Sequence, residues 1–211
     1  MSDSEPAPRA AMPPADRVVD GLDLWETEAD HGHAAPLSAV RLDGNARMLV
    51  PFTTIMVRAT LHYVEHTSLR SYVHCNGAHC LLCRVGRQQD VRDLWPVYDV
   101  LAGAVAVLPI SPSLRPHALR PLLKPVLHQV KEGKERFFIE VWKPDSYKFT
   151  VGTFPLPADA DDGAAAIKAF QEKFDAGLVD LGSVYPRITN EDLAMYPEVA
   201  TAMQMKGIGL S

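Results

Sequence analysis

Residues 74–83 read His-Cys-Asn-Gly-Ala-His-Cys-Leu-Leu-Cys and contain every cysteine of the 211-residue chain. Three thiols so close together suit disulfides poorly, because three cannot all pair and such short loops gain little from cross-linking. They suit a metal ion well, since a Cys-x2-Cys turn brings two thiolates together and a third thiolate with one imidazole completes a tetrahedron. The stretch therefore predicts a Zn²⁺ site with Cys75, Cys80 and Cys83 as ligands. The alternative is a group of free or buried cysteines without metal.

The fourth ligand is expected to be a nearby histidine. His62 is favoured because it lies outside the turn on a strand, whereas His74 and His79 each adjoin a ligand cysteine and would crowd it. His66 is the second choice. Four protein ligands leave no coordination position for water, so the zinc is expected to be structural and not catalytic.

The chain around this turn has the pattern of β-strands. Residues 55–64 alternate between apolar and other side chains, which predicts a half-buried strand with Arg58 and His62 on the face opposite the apolar one. The same reasoning predicts strands at 71–75, 94–101 and 104–110, a hairpin of 136–143 and 147–152, and helices from Ser113, over 164–174 and after a possible cap at Asn190.

Six short strands with an inserted helix and a zinc turn predict a mainly β protein with appended helices, in which an OB-like β-barrel carries a zinc-binding subdomain. We expect three regions. Residues 1–40 form a mobile acidic arm, 41–155 the zinc-containing OB-like core, and 156–211 an acidic helical C-terminal region.

Charge is distributed unevenly along the chain, whose net charge is −5. Residues 41–150 contain fifteen basic and nine acidic side chains, a net of +6, whereas residues 1–40 sum to −6 and residues 151–211 to −5. A basic middle between acidic flanks is typical of a domain that binds a polyanion. The alternative is a solvated surface with uneven charge.

The pattern His62-x12-Cys75-x4-Cys80-x2-Cys83 resembles the zinc site of the replication-type, helix-destabilising single-stranded DNA-binding proteins of tailed phages. The likeness covers residues 50–110. It implies an OB-fold core, a zinc subdomain bound by one histidine and three cysteines, and binding to single-stranded DNA. The middle interval is shorter here, and the N-terminal arm is acidic where that of the family is basic.

Binding to single strands without sequence choice requires cations along the phosphates and aromatic rings on which bases stack, each worth about 1–3 kcal/mol. In the predicted hairpin, Phe138 and Trp142 share a face with Arg136, and Lys143 and Lys148 lie near the turn. The alternative for each aromatic side chain is a place in the core. The predicted nucleic-acid contacts are Arg58, Arg70, Tyr72, Arg84, Arg87, Trp95, Tyr98, Arg136, Phe138, Trp142, Lys143, Tyr147 and Lys148.

These patterns together predict a zinc-stabilised protein that binds single-stranded DNA without strong sequence preference in replication, recombination or repair. Acidic flanks are expected to recruit replication or recombination proteins. The alternatives are a zinc-stabilised adaptor that binds proteins and no nucleic acid, and a zinc-ribbon transcription factor.

An enzyme is not expected, because the chain has neither a phosphate-binding Gly-x4-Gly-Lys-Ser/Thr loop nor a Gly-x-Ser-x-Gly elbow, and its His and Cys spacing does not match the deaminases. No membrane association is expected, since no apolar run approaches about 18 residues. The N-terminus lacks the features of a secretory signal, which with free thiols predicts a cytoplasmic location.

Overall fold

The computed structural model describes residues 37–209 apart from 43, 66–69, 134–135, 146–147 and 158–160, and describes no side chain for Arg70. Most of the predicted acidic arm, the alternative ligand His66 and the predicted contact Tyr147 therefore lie outside the described residues. Nothing in the structure tests the expected division into three regions, which stays a prediction.

One sheet dominates the described residues. Its strands are β1 (Arg47–Pro51), β2 (Val57–Glu65), β3 (Arg70–His74), β4 (Gln89–Asp99), β5 (Ala104–Ile110), β6 (Phe137–Asp145) and β7 (Lys148–Pro155). The helices are α1 (Leu81–Arg84), α2 (Leu119–Lys131), α3 (Ala164–Asp175), α4 (Asn190–Ala194) and α5 (Pro197–Lys206), with 3-10 turns at Gly77–His79 and Leu181–Val184. None of these helices has both the length and the apolar character needed to cross a membrane.

The strands pair in the order β3-β2-β4-β1-β6-β7, and β5 pairs with β4. All of these ladders are antiparallel. Strand β4 is the centre of the sheet, because one edge pairs first with β2 and then with β1 while the other edge pairs with β5. The mainly β prediction is confirmed. The OB-like barrel stays a prediction, since the ladders of the described residues do not close the sheet.

Strand β4 is covered on both faces, which explains its apolar centre. Trp95 and Val97 pack in one cluster with Leu123 of α2, whereas Leu94 packs in another cluster with Phe170 of α3. A strand buried on both faces reads as a continuous apolar run and not as an alternation. Helices α2 and α3 therefore lie on opposite faces of the centre of the sheet.

The short C-terminal helices cover the cysteine turn. Leu81 and Leu82 of α1 form a buried cluster with Leu193 of α4 and with Val199 and Met203 of α5. This apolar cluster is distinct from the two that flank β4. The turn that carries the candidate metal ligands thus has a small core of its own. Val64 of β2 and Val73 of β3 contribute to it, together with helices more than one hundred positions later in the chain.

Candidate metal centre and aromatic surfaces

The four predicted ligand side chains converge in the structure. Nε2 of His62 lies 3.5 Å from Sγ of Cys80 and 3.3 Å from Sγ of Cys83, and the Sγ atoms of Cys75 and Cys83 are 3.6 Å apart. All four ligand atoms lie within 4.8 Å of one another. A tetrahedral ion with bonds of about 2.0 Å to nitrogen and about 2.3 Å to sulfur separates its ligands by about 3.5–3.8 Å. The cluster could therefore hold a metal ion.

Three strands and one turn position these ligands. His62 lies on β2 opposite Gln89 of β4, and Cys75 directly follows β3, where its N–H donates to the Thr60 carbonyl at 2.9 Å. Gly77 has a φ of +75°, a left-handed conformation that glycine adopts without steric strain, and it lies in the turn that leads to Cys80. Strand alternation places His62 on the face of β2 opposite the apolar one, as predicted. The His62 side chain is nevertheless fully buried, because the turn and the C-terminal helices cover the face on which it lies.

Two groups outside the ligand set orient the ligands. Nδ1 of His62 lies 3.1 Å from the Gln88 carbonyl oxygen, which only accepts, so Nδ1 carries the proton and Nε2 presents its lone pair to the cysteines. The Gln89 side-chain amide donates to Sγ of Cys83 at 3.1 Å and to Sγ of Cys75 at 3.6 Å. Sequence reasoning missed both glutamines, although a cross-strand pairing of His62 with Gln89 would have indicated them.

Burial and nearby hydrogen bonds shift the pKa values of the ligand groups. Burial lowers the pKa of His62, which keeps the ring in its neutral, metal-binding form. Burial, reinforced by the neighbouring thiols, raises the pKa of Cys75 to about 11. Burial also acts to raise the pKa of Cys80, but backbone N–H groups, among them that of Cys83, outweigh it and hold this pKa below its ordinary value. The thiols must lose their protons to bind a metal, so binding would release protons.

Asn190 connects the cysteine turn to the C-terminal segment. Its Oδ1 accepts from the N–H of Leu81 at 3.0 Å, and its Nδ2 donates to the His79 carbonyl at 3.0 Å. Asn76 donates to the same Oδ1 at 3.0 Å. The predicted capping role of Asn190 is wrong, because the cap of α4 is Thr189, whose hydroxyl accepts from a backbone N–H of the first turn.

The alternative histidine ligands have other environments where they are described. Nε2 of His74 lies 2.8 Å from the carbonyl oxygen of Gly182, on the segment before α4. His79 is exposed on the outer side of the turn. His62 is therefore the histidine that joins the three cysteines in the described cluster.

Two predicted base-stacking residues lie in the core and are withdrawn from the candidate surface. Trp95 is fully buried against the α2 side of the sheet, and its indole N–H donates to the Thr53 carbonyl at 2.7 Å. Tyr98 is 2% exposed, and its hydroxyl donates to Asp161 at 2.8 Å. A buried ring presents no face to a base, so neither side chain can stack on a nucleic acid in this structure.

An exposed aromatic surface lies on β6 and β7. Trp142 is 43% exposed and Phe154 is 41% exposed. Phe138 stacks on Phe154 with ring centroids 5.3 Å apart and an interplanar angle of 18°. Gly152 makes this possible, because a Cβ there would meet the Phe154 ring at 2.7 Å. We call Met48, Phe138, Trp142 and Phe154 the aromatic face, since cross-strand pairing places all four on one side of β1, β6 and β7.

Several of the predicted cations bind protein groups but stay accessible. Arg58 pairs with Asp93 at 2.8 Å and Arg136 pairs with Asp162, yet the side chains of these arginines are 60% and 53% exposed. Nη2 of Arg84 donates to the carbonyl of Gly209 at 3.1 Å. Among the predicted cations with described side chains, the others are Lys143, whose Nζ lies 5.6 Å from the Phe149 ring, and the exposed Arg87 and Lys148.

The predicted contact Tyr72 belongs to a second aromatic group, on β2 and β3. Its ring packs edge-to-face with Tyr63 at 5.2 Å and 62°, and the guanidinium of Arg92 lies 5.4 Å from its centroid. Tyr63 is 44% exposed. Sequence reasoning did not nominate Tyr63 or Arg92, which only the pairing of β2 with β3 and β4 brings beside Tyr72.

Comparison of the chain with protein-family models, with curated proteins and with solved structures finds no match. The resemblance to the phage single-stranded DNA-binding proteins therefore stays an expectation based on the residues quoted from the sequence. The candidate metal cluster and the two exposed aromatic groups are the features of the structure that bear on function.

Proposed function

We propose that the protein binds single-stranded DNA through the aromatic face and that a structural zinc ion stabilises the cysteine turn. The observation that carries the proposal is the exposure of Trp142 and Phe154 on one open side of an antiparallel sheet. Large aromatic rings are usually buried in a β protein, and exposed ones mark interaction surfaces.

The aromatic face suits bases better than phosphates. Phe138 and Phe154 are already stacked on each other, so their orientation needs little ordering when a base arrives. Glu140 lies on the same side of β6 between Phe138 and Trp142, and its carboxylate would repel a phosphate. The sugar-phosphate backbone is therefore proposed to run along the rim, where Lys143 and Lys148 of the hairpin supply positive charge.

Zinc is the proposed occupant of the metal centre because of the donor set. Three thiolates and one imidazole in tetrahedral spacing are typical of structural zinc, which needs no other ligand. The site would be closed to water, and it would anchor the turn on which α4 and α5 pack. An OB-like arrangement of the core and recruitment of replication or recombination proteins by the acidic flanks are further parts of the proposal.

The decisive experiment is a fluorescence titration of the zinc-loaded full chain with oligo-dT and with a matched duplex at two salt concentrations. Tight binding to oligo-dT, weak binding to duplex and loss of affinity with added salt are expected. Each neutralised phosphate should contribute about −0.7 to the slope of log K against log salt. Absence of binding at low salt would refute the proposal.

A protein-binding adaptor is the second candidate, and Met48 favours it. This side chain is 42% exposed beside the aromatic face, and methionine with aromatic side chains is enriched where proteins bind proteins. An adaptor of this kind would not bind oligonucleotides at any salt concentration. The same titration therefore separates the two candidates.

A further inference from the structure

We propose that a cleft beside Tyr63, separate from the aromatic face, accepts one nucleobase of the bound strand. The inference rests on the proposed binding of single-stranded DNA and adds a second contact site to it. The cleft has a volume of about 470 Å³, within the range of pockets that hold small ligands. The residues that line it include Tyr63, Tyr72, Gln88, Asp90 and Ser111.

The two tyrosines provide a stacking surface that is already ordered. Tyr63 and Tyr72 are directly opposite each other on β2 and β3, and their rings meet edge-to-face. Tyr72 is held from further sides by Tyr185, with ring centroids 6.2 Å apart, and by Arg92, whose Nη2 donates to the Tyr72 hydroxyl at 3.3 Å. Tyr63 thus rests on a fixed neighbour while nearly half of its own surface is open to a base.

The rest of the cleft offers polar groups suited to the edge of a base. Arg92 donates to Oδ2 of Asp90 at 2.6 Å, which orients a carboxylate that can accept from a base N–H. Gln88 and Ser111 line the cleft with groups that can both donate and accept. An apolar peptide side chain would leave these groups unpaired, so the lining favours a flat, polar ring over a protein partner.

An exposed cation directly adjoins the cleft in the sequence. Arg87 directly precedes Gln88 of the cleft and is exposed. Arg87 is the residue proposed to bind the phosphate of the nucleotide whose base stacks on Tyr63. The ion pair between Arg92 and Asp90 is internally neutral, so it does not oppose the approach of the strand.

The cleft and the aromatic face lie on the same side of the sheet. Alternation along β4 places Asp90, Leu94 and Tyr98 on that side, where Leu94 packs with Phe170 of α3 and Tyr98 packs beside Phe138. Helix α3 therefore covers the centre of this side and leaves an aromatic group open at each end. A strand long enough to pass α3 would contact both sites.

The test compares Tyr63→Ala, Tyr63→Phe and Trp142→Ala in the zinc-loaded full chain, using oligo-dT of increasing length. Tyr63→Ala should weaken binding of the long oligonucleotides by about 5- to 150-fold, the loss expected for one stacked base. Tyr63→Phe should keep the oligo-dT affinity of the unaltered protein, because the aromatic ring is retained. Unchanged metal content and circular dichroism would show that the fold of the alanine variant is intact.

A second measurement identifies directly which residues a base of the bound strand contacts. Oligo-dT with a single iodouracil is irradiated in the complex, and cross-linked peptides are mapped by mass spectrometry. A cross-link at Tyr63 or Tyr72 is expected. This inference alone would be overturned if the unaltered protein binds oligo-dT, Trp142→Ala weakens that binding, Tyr63→Ala leaves it unchanged and no cross-link forms in the cleft. Absence of oligo-dT binding by the unaltered protein would overturn the proposed function as well.

Discussion

Cys83 contacts two other ligand side chains of the candidate metal cluster. Its Sγ lies close to the His62 ring, to the Cys75 thiol and to the Gln89 amide. Cys83→Ser should reduce the metal content from one ion per chain to a small fraction, because a serine hydroxyl stays protonated and binds zinc weakly. The measurement is elemental analysis of purified protein.

The exposed His79 supplies the control for that substitution. His79→Ala alters a metal-binding residue type in the same turn but outside the described cluster, so it should keep one ion per chain. Retention of one ion per chain by Cys83→Ser would contradict the proposed ligand set.

Gln89 is expected to tune the metal affinity without binding the metal. Its amide N–H groups donate to Cys75 and Cys83, which stabilises thiolates. Gln89→Ala should weaken zinc binding by about 10- to 100-fold. The measurement is competition against a chromogenic chelator, with the exposed Gln204→Ala on α5 as the matched control. Equal affinities of the two variants would show that Gln89 has no such role.

At the scale of elements, strand β6 presents different side chains to its two faces. Phe137, Ile139 and Val141 enter the core, while Phe138 and Trp142 belong to the aromatic face. The period-two pattern predicts this alternation from the sequence. It does not predict which face remains open, because that depends on where α2 and α3 pack.

Substitution of Trp142 tests whether the exposed face of β6 binds bases. Trp142→Ala should weaken binding to oligo-dT by the stacking energy of one base, about 1–3 kcal/mol, whereas Trp142→Phe should retain most of the affinity. The exposed Leu101→Ala, on the turn between β4 and β5, removes apolar surface elsewhere and should have no effect. Equal losses in Trp142→Ala and Leu101→Ala would argue against stacking.

Strand β4 shows why two of the predicted contacts were placed wrongly. Trp95 and Tyr98 resemble a solvent-facing pair when the sequence is read alone, since arginines lie nearby. In the structure α2 covers the face of Trp95, and α3 covers the face of Tyr98. The part of β4 that lies between the two helices has no exposed face, and no local pattern reveals the second covering helix.

At the scale of the whole molecule, the cysteine turn and the C-terminal helices share one apolar cluster. Helices α4 and α5 pack on the turn that holds Cys80 and Cys83, in an apolar cluster distinct from those around β4. Removal of metal by a chelator should therefore loosen α1, α4 and α5 more than the sheet centre, because local stability follows local packing.

Hydrogen exchange detected by mass spectrometry measures this difference. Peptides from Asn190–Ala194 and Pro197–Lys206 should lose protection when the chelator is added, and peptides from Leu119–Lys131 should keep theirs. The helix Leu119–Lys131 is the internal control, since its described residues pack in the cluster around Trp95 and none of them belongs to the apolar cluster of the turn. Uniform loss of protection across the chain would show that the metal stabilises the whole fold instead.

The spacing of the cysteines and the alternation along the strands are local properties. From them the sequence by itself determined the candidate metal-ligand group and the mainly β character. The tertiary structure alone decided which aromatic rings are exposed to solvent. It also decided that Gln88 and Gln89 hydrogen-bond to the candidate ligands and that Asn190 hydrogen-bonds to the cysteine turn. The physical reason is that exposure and hydrogen-bond partners depend on neighbours far apart in the chain, which only packing brings together.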